Sequence, residues 1–255
     1  MIVQNPDEAD SSDLQAFCSK HQIHIEMLAF DKTRNAGGQI NIRHITSATF
    51  LRLHLDQLLP SNLNRFVYLD SDVFVDQDIS ELFECDLGTS SLAAVPDVIN
   101  AVQGVNSHLQ KIGMRNDEPY FNAGVLVFSW RRILTSDVLA RARNMAGQKL
   151  DYHFHDQDIL NILFQSDWLR LETKYNAGIH TISAGGLASI AHFVARKNRG
   201  NQFFIFDTEN IGANTKKFWQ ERIGKHLSSQ WVFLLQSLCS GSRSCGSSEE
   251  SWVVS

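Results

Sequence analysis

Residues Arg65–Asp76 have the sequence RFVYLDSDVFVD, and the fold class that we predict depends chiefly on them. Phe66–Leu69 is an unbroken apolar run, which is typical of a strand that is buried on both faces of a sheet. Two carboxylates, Asp70 and Asp72, follow this run directly. Ligands bind beyond the carboxyl ends of the strands in open α/β sheets, so the stretch predicts a ligand site at these two residues.

Short apolar runs alternate with amphipathic stretches along the rest of the chain. Strands are predicted at Ile23–Phe30, Phe66–Leu69, Ser91–Val95, Gly124–Phe128, Leu169–Leu171 and Ile190–Val194. Helices are predicted after Ser11/Ser12, over Thr46–Leu59, after Asp78–Glu81, from Ser136/Asp137 to about Lys149, and over Asp156–Phe164. This alternation is typical of βαβ units, so we expect an α/β protein with a mostly parallel central sheet flanked by helices.

Composition restricts the class of partner. The chain has 255 residues, of which 43% are hydrophobic and 20% charged, with a net charge of −5. These values fit a globular protein and give no indication of a nucleic-acid partner. No run approaches the ~18 apolar residues of a transmembrane helix, and the N-terminus lacks the pattern of a signal peptide. We therefore expect a cytoplasmic protein, with peripheral membrane association as an alternative.

The cysteines and the C-terminal region complete this outline. Cys18, Cys85, Cys239 and Cys245 form no CxxC pair, which favours free thiols over disulfides or zinc ligands. The Ser-rich C-terminal segment indicates a partly disordered tail. We predict one domain over residues 1–225 and a tail over residues 226–255.

The aspartate pair supports more than one hypothesis. In extended backbone Asp70 and Asp72 face the same side and can share Mg²⁺ or Mn²⁺, but a solvated acidic turn is an equal alternative. Asp-x-Asp also occurs at Asp76/Asp78 and Asp156/Asp158, so the pattern alone is weak. An EF-hand is excluded because Val75 stands where the loop needs glycine. A haloacid dehalogenase-type phosphatase stays a lesser alternative, although Phe74 stands where that family has a small residue.

Three further blocks carry candidate site residues. Asn122, Ala123 and Gly124 precede a strand, where the asparagine suits sugar hydroxyls and the small residues permit close approach of a ligand to the backbone; a plain turn is the alternative. In HDQDILN, at 155–161, the polar residues Asp156, Gln157 and Asp158 either cap a helix or face substrate. His192 is either a core histidine or a third metal ligand beside two carboxylates.

Together these blocks resemble glycosyltransferase family 8. The resemblance depends on YLDSDVFV, YFNAGVLVF, HDQDILN and IAHF in this order, with TSATFLRLHLDQLLP upstream, and extends from about residue 10 to about residue 195. It implies a GT-A fold and transfer of a hexose from a UDP-sugar, with retention of configuration, to a glycan or lipid-linked saccharide. Lipopolysaccharide biosynthesis is the pathway that the family suggests.

The resemblance also implies residue roles. Asp70, Asp72 and His192 would bind Mn²⁺ (or Mg²⁺), and Asp156, Gln157 and Asp158 would form the catalytic group. Contacts to substrate would come from Arg52, Asp70, Ser71, Asn122, Ala123, Gly124 and Lys197. No nucleic acid is expected as a partner.

Two departures from the family pattern add a second hypothesis. The chain begins after the position of the family's first nucleotide-binding strand, so we expect its first βα unit to be missing. After His192, Ala195 and Asn198 stand where the family has glycine and lysine, and Lys197 is the candidate replacement for the lysine. The alternative function is therefore a degenerate, non-catalytic member that binds metal or nucleotide sugar.

Overall fold

The structure is a computed structural model. It describes residues 2–3, 12–20, 22, 24–26, 28–29, 47–70, 72–97, 105–115, 118–148, 152, 154–178, 181–182, 184–192 and 252–254. Ser71 and Lys197 of the predicted site lie outside these residues, as do Cys239 and Cys245. Cys18 and Cys85 are free thiols, as predicted.

Strands and helices are interspersed along the described chain. The strands are β1 (Ile2–Val3), β2 (Leu28–Ala29), β3 (Arg65–Leu69), β4 (Val73–Val75), β5 (Leu92–Pro96), β6 (Phe121–Ser129), β7 (Trp168–Arg170), β8 (Ala177–Gly178), β9 (Ile190–His192) and β10 (Trp252–Val254). The α-helices are α1 (Ser12–Lys20), α2 (Leu55–Leu58), α3 (Glu81–Glu84), α4 (Val105–Lys111), α5 (Trp130–Thr135), α6 (Val138–Ala146) and α7 (Asp156–Leu163). Ser47–His54 and Thr173–Asn176 are 3₁₀ helices.

The central sheet has five strands in the order β10-β3-β6-β5-β7. β10 pairs parallel with β3, and β5 pairs parallel with β7, whereas β6 lies antiparallel between β3 and β5. Four of the five strands therefore point in one direction. This confirms the mostly parallel sheet, with β6 as the one reversed strand of the described sheet.

The described residues also form two smaller sheets. β1 and β2 pair in parallel, and α1 lies between them in the sequence. β9 lies between β4 and β8, antiparallel to the first and parallel to the second. In this second sheet Val73 is opposite His192, and that register positions the candidate site described below.

Both faces of the central sheet are buried, which is why its strands are continuous apolar runs. Phe66 and Tyr68 of β3 pack on one face, in a cluster that includes residues of α5, α6 and α7. Val67 and Leu69 pack on the other face, in a cluster that includes Ile190 of β9. The α/β class predicted from the sequence is confirmed.

Some predicted elements differ in detail from the observed ones. The segment predicted as one helix over Thr46–Leu59 is a 3₁₀ helix followed by the short α2. Apolar residues three apart suit both helix types, so spacing alone does not separate them. Asp137 precedes α6 in a left-handed conformation, with φ 50°, and makes no side-chain cap.

Three other expectations concern the ends of the chain and the membrane. Within the predicted tail 226–255 the structure describes one segment, the strand Trp252–Val254. The domain boundary at residue 225 and the missing first βα unit both stay predictions. Among the described residues, no helix is both long and apolar enough to cross a bilayer.

Candidate functional site

Three potential metal ligands lie just after β3, just before β4 and at the end of β9. Asp70, Asp72 and His192 each offer one ligand atom, and these atoms all lie within 4.8 Å of one another. The sheet register explains the arrangement, because His192 is opposite Val73, the residue that follows Asp72. Among the described residues, neither Asp76/Asp78 nor Asp156/Asp158 belongs to such a group. The Asp-x-Asp pattern alone did not distinguish the three pairs; the pair that belongs to a potential metal group is the one that the strand-end context favoured.

The two aspartates converge for a different reason than the predicted extended backbone. β3 ends at Leu69, and the chain turns before β4, with the Val73 N–H donating to the Asp70 carbonyl at 3.4 Å. The turn directs the chain from the central sheet into the sheet of β9. The prediction of extended geometry between Asp70 and Asp72 is therefore wrong, although the two carboxylates do lie together.

A hydrogen bond to Asn176 orients the imidazole of His192. Nδ1 of His192 lies 2.8 Å from Oδ1 of Asn176, whose Nδ2 donates to Oδ1 of Asn122 at 2.8 Å. Because the Asn176 oxygen only accepts, Nδ1 carries the proton, and neutral His192 presents the lone pair of Nε2. That Nε2 lies 3.2 Å from Oδ1 of Asp72.

The charge of this group favours a cation. Burial lowers the pKa of His192. The hydrogen bond and charge of Asp72, together with the charge of Asp70, raise it by more than burial lowers it, so the pKa is above its ordinary value. The carboxylates thus attract a positive charge into a largely buried position. A proton on His192 and a metal ion are alternative ways to supply that charge.

Gly124 makes room for the imidazole. A Cβ atom at this position would lie 2.2 Å from Cε1 and 2.6 Å from Nδ1 of His192. The sequence predicted close approach of a ligand at this glycine, whereas the group that the structure places there is the His192 ring. Any side chain at residue 124 would displace the imidazole from Asp72.

Arg52 connects the acidic groups at the end of the sheet. Its Nη2 donates to Oδ1 of Asp70 at 2.7 Å, and its Nη1 donates to the Ala123 carbonyl. Its Nε lies 2.6 Å from Oδ2 of Asp156, but the N–H does not point at that oxygen, so this contact is electrostatic. Tyr68 donates to the same Asp70 oxygen at 2.8 Å and places its ring under the guanidinium. Arg52 therefore fixes the position of both carboxylates.

The buried Arg52 and Asp156 have displaced pKa values. Burial raises the pKa of Asp156 to about 6, despite the opposing effect of Arg52, and the charge of Asp70 adds to the rise. Burial lowers the pKa of Arg52, but Asp156 and Asp70 together raise it well above its ordinary value. The guanidinium is permanently charged, whereas Asp156 titrates near neutral pH.

A network of amides lies next to this group, around Asp97. One carboxylate oxygen of Asp97 accepts from Nδ2 of Asn122 at 3.1 Å and from Nε2 of Gln157 at 3.0 Å. Oε1 of Gln157 accepts from the Ala123 N–H at 2.9 Å, and Oδ1 of Asn122 accepts from the Gly124 N–H at 2.9 Å. Sequence reasoning missed Asp97, although it lies two residues after the predicted strand Ser91–Val95, and the end of a strand is the signal that identified Asp70.

Asp158 occupies a separate, fully buried position. Oδ1 accepts from the Tyr120 hydroxyl at 2.8 Å, and Oδ2 lies 2.9 Å from Nε2 of His108 and 2.8 Å from the Phe154 N–H. Residues two apart on a helix point to nearly opposite sides, so Asp156 and Asp158 have different partners. Asp158 thus ties the beginning of α7 to its neighbours, but it is not a helix cap, because the N-cap residue of α7 is His155 and no side chain caps this end.

Comparisons with known proteins identify the family. The family model "Glycosyl transferase family 8" matches residues 2–196. General stress protein A of Bacillus subtilis (strain 168) is 29% identical over 165 residues, covering 62% of this chain and 54% of that protein. Lipopolysaccharide 1,2-glucosyltransferase of Escherichia coli (strain K12) is 32% identical over 138 residues, covering 54% of this chain and 40% of that protein.

A solved structure agrees with these sequence matches. The galactosyltransferase LgtC, crystallised with donor and acceptor sugar analogs, superimposes with a TM-score of 0.55 at 26% identity, covering 77% of this chain and 73% of that one. The fold is thus of the GT-A type found in glycosyltransferases. The chain belongs to glycosyl transferase family 8. It spans about half, or less, of the length of the curated relatives named above.

Proposed function

We propose that the chain transfers a hexose from a UDP-sugar to a hydroxyl group of a glycan or lipid-linked saccharide, with retention of configuration and dependence on Mn²⁺ or Mg²⁺. The observation that carries this proposal is the Asp70, Asp72 and His192 group at the strand ends of a family 8 fold. Membership of the family supports glycosyl transfer, and the group supports the metal and the diphosphate. The donor, the acceptor and the stereochemistry belong to the proposal.

The three ligand atoms suit one divalent cation. Ligands at about 2.1 Å from Mg²⁺ or Mn²⁺ are separated by at most roughly 4.2 Å, close to the 4.8 Å limit within which these atoms lie. Two carboxylates with one imidazole are a donor set that Mn²⁺ accepts. When bound, the ion would neutralise the negative charge that collects on the departing diphosphate. Opposite unit charges at 4 Å gain roughly 4 kcal/mol at an effective dielectric constant of 20, or about three decades in rate.

The chain's own side chains would position the sugar. Asn122 and Gln157 share the Asp97 carboxylate, so both amides have a fixed orientation toward ligand hydroxyls. Ser71 would contact the substrate, and Lys197 would contact the diphosphate in place of the lysine that the family has at the position of Asn198. Arg52 would act through Asp70 and Asp156 as a positioning residue.

The catalytic group would lie at the start of α7. Asp156 or the carbonyl of Gln157 would stabilise positive charge on the sugar ring, and Asp158 would fix the helix that carries them. Retention requires either a nucleophile on the face opposite the leaving group or front-face attack by the acceptor. Both routes are compatible with these contacts.

Calorimetric titration of UDP in the presence of Mn²⁺ tests the proposal first. We expect saturable binding by the wild type, loss of that binding in Asp72→Asn, and unchanged binding in Asp78→Asn. The control removes a carboxylate charge from an exposed turn, where Asp78 accepts from the Ser80 N–H. Absence of UDP binding in the wild type would overturn the proposal.

Turnover then separates an active enzyme from the non-catalytic alternative. Wild-type protein is incubated with Mn²⁺ and UDP-glucose or UDP-galactose, and NMR follows the anomeric configuration of the released or transferred hexose. We expect a product with the configuration of the donor, and a decrease in kcat/KM of about three decades in Asp72→Asn. UDP binding without turnover would instead support a binding-only relative, and phosphate release from a generic phosphomonoester would support the phosphatase.

A further inference from the structure

A surface cavity of about 450 Å³ lies at the other end of the central sheet from the candidate metal group. Arg65, the first residue of β3, and Ser129, the last of β6, both line it and are paired across the sheet. Asp70 is five residues further along the chain than Arg65. At about 3.3 Å per residue the cavity is therefore roughly 16 Å from Asp70, outside the site described above.

Positive charge dominates the wall of this cavity. Arg65, Arg131 and Arg132 line it, together with a single acidic residue, Asp86, whose carboxylate accepts from the Gly88 N–H at 2.9 Å. No carboxylate of the described residues lies within ion-pair distance of these three guanidinium groups. The cavity is therefore positively charged although the whole chain has a net charge of −5, because no described carboxylate pairs with these three arginines.

Main-chain carbonyl groups hold two of the arginines in place. Arg132 donates to the carbonyls of Ser90 and Gly88, both at 2.7 Å, and Arg65 donates to the carbonyl of Phe83. Carbonyl groups fix the orientation of a guanidinium without neutralising its charge. A guanidinium has five N–H donors, so both arginines keep unused donors, and Arg131 is exposed beside them. The cavity wall is therefore preorganised for an anion.

We propose that this cavity binds a phosphate ester, a ligand distinct from the donor of the proposed function. The phosphate would contact Arg65, Arg131 and Arg132, since guanidinium groups match phosphate oxygens in charge and in bidentate geometry. The organic part would lie against Phe83 and Leu87, the apolar residues of the wall. A volume of about 450 Å³ is in the range of small-molecule sites.

Calorimetric titration of glucose 1-phosphate tests this proposal in metal-free buffer at pH 8, where the phosphate is a dianion. We expect saturable binding by the wild type, about tenfold weaker binding in Arg131→Gln and in Arg65→Gln, and an intermediate effect in Arg131→Lys. Arg141→Gln is the matched control, because it removes an exposed arginine of α6 outside the cavity. Its affinity should stay within twofold of the wild type.

A second arm identifies the source of the phosphate. Phosphatidylcholine vesicles with and without phosphatidic acid are sedimented with the protein. Binding of glucose 1-phosphate assigns the cavity to a soluble phosphate ester, and Arg131-dependent binding to phosphatidic acid vesicles alone assigns it to a lipid headgroup. Absence of both overturns the proposal, as does equal weakening in Arg131→Gln and Arg141→Gln.

The test also separates this proposal from the proposed transferase function. Asp72→Asn should bind glucose 1-phosphate with wild-type affinity, since the cavity does not include the metal group. If UDP binding fails while this binding persists, the phosphate-ester proposal stands alone. Thermal melting of each variant shows whether weakened binding reflects loss of the fold. Arg65→Gln and Arg131→Gln change different arginines, so the cavity is tested twice.

Discussion

The two ends of the central sheet hold their charged side chains in opposite ways. At the carboxyl end of β3, Asp70 and Asp156 are held by another side chain, Arg52. At the other end, Arg65 and Arg132 are held by main-chain carbonyls. When one side chain of a network is removed, its neighbours lose their partner and several contacts are lost together. When an arginine that is bound to main-chain carbonyls is removed, the carbonyls stay in place. Substitutions should therefore have large, coupled effects at the first end and small, local effects at the second.

Arg52→Gln should have the largest effect on stability. Arg52 and Asp156 are 7% and 3% exposed, so the substitution leaves a buried carboxylate without its cation. Breaking a buried ion pair costs about 3–5 kcal/mol, so we expect a loss of roughly 4 kcal/mol in the free energy of unfolding, measured in urea at pH 7.5.

The control for this prediction is Arg143→Gln. Arg143 pairs with Asp56, but both side chains are about one-fifth exposed, so solvent screens the pair and the loss should be smaller. An Arg52→Gln variant no less stable than Arg143→Gln would show that Arg52 does not fix the acidic group.

The pH dependence of stability should show the second-largest effect. Burial raises the pKa of Asp156 from 3.8 to about 6, so between these values the folded state binds a proton that the unfolded state has lost. Stability from this group is therefore present below about pH 4 and is lost as the pH rises through 6. The shift corresponds to roughly 3 kcal/mol.

Comparison with Asp156→Asn isolates this contribution. Urea unfolding is measured for both proteins at pH 4 and pH 7 without divalent ions. The difference in unfolding free energy, wild type minus variant, should fall over this interval. A difference that does not change with pH would mean that Asp156 ionises normally in the folded protein.

Gly124→Ala should have an intermediate effect at the same end of the sheet. The added Cβ would overlap the His192 ring, so the imidazole must move away from Asp72. We expect a loss of roughly 2 kcal/mol in unfolding free energy, as for an overpacked core, together with weaker Mn²⁺-dependent UDP binding.

Gly178→Ala is the matched control for this prediction. Gly178 pairs with His192 across the sheet, and a Cβ there meets no atom within 4 Å. UDP affinity should therefore stay at the wild-type value. Equal effects of the two substitutions would mean that the position of the His192 ring does not determine binding.

Much of the fold was predictable from the sequence because both faces of the sheet are buried. β3, β5 and β6 are apolar runs without alternation, and such runs are visible locally in the sequence. The direction of β6 and the 3₁₀ form of Ser47–His54 were not predictable. The direction of a strand depends on how it pairs with strands that are distant in the sequence. Apolar spacing does not distinguish a 3₁₀ helix from an α-helix.

The candidate site was predictable in part, for similar reasons. Asp70 and Asp72 follow an apolar run, which signals a strand end, but His192 joins them only through the pairing of β4 with β9. Asn176 and Asp97 were missed, because their importance comes from hydrogen bonds to residues distant in the sequence. The helix predicted over Asp156–Phe164 already implies that Asp156 and Asp158 face nearly opposite sides, but the partners of each, Arg52 for Asp156 and Tyr120 and His108 for Asp158, required the structure.

The smallest predicted effect tests whether the two ends of the sheet are energetically independent. Arg132→Gln removes two hydrogen bonds to carbonyls at the cavity end and should cost about 1 kcal/mol in unfolding free energy. Arg132 and Arg52 share no partner, so the cost should be the same, within about 0.5 kcal/mol, in the wild type and in Arg52→Gln. A double-mutant cycle in urea measures this difference. A coupling energy above 1 kcal/mol would contradict independence, because it would require β3 or β6 to transmit a change at the acidic group to the arginine cavity.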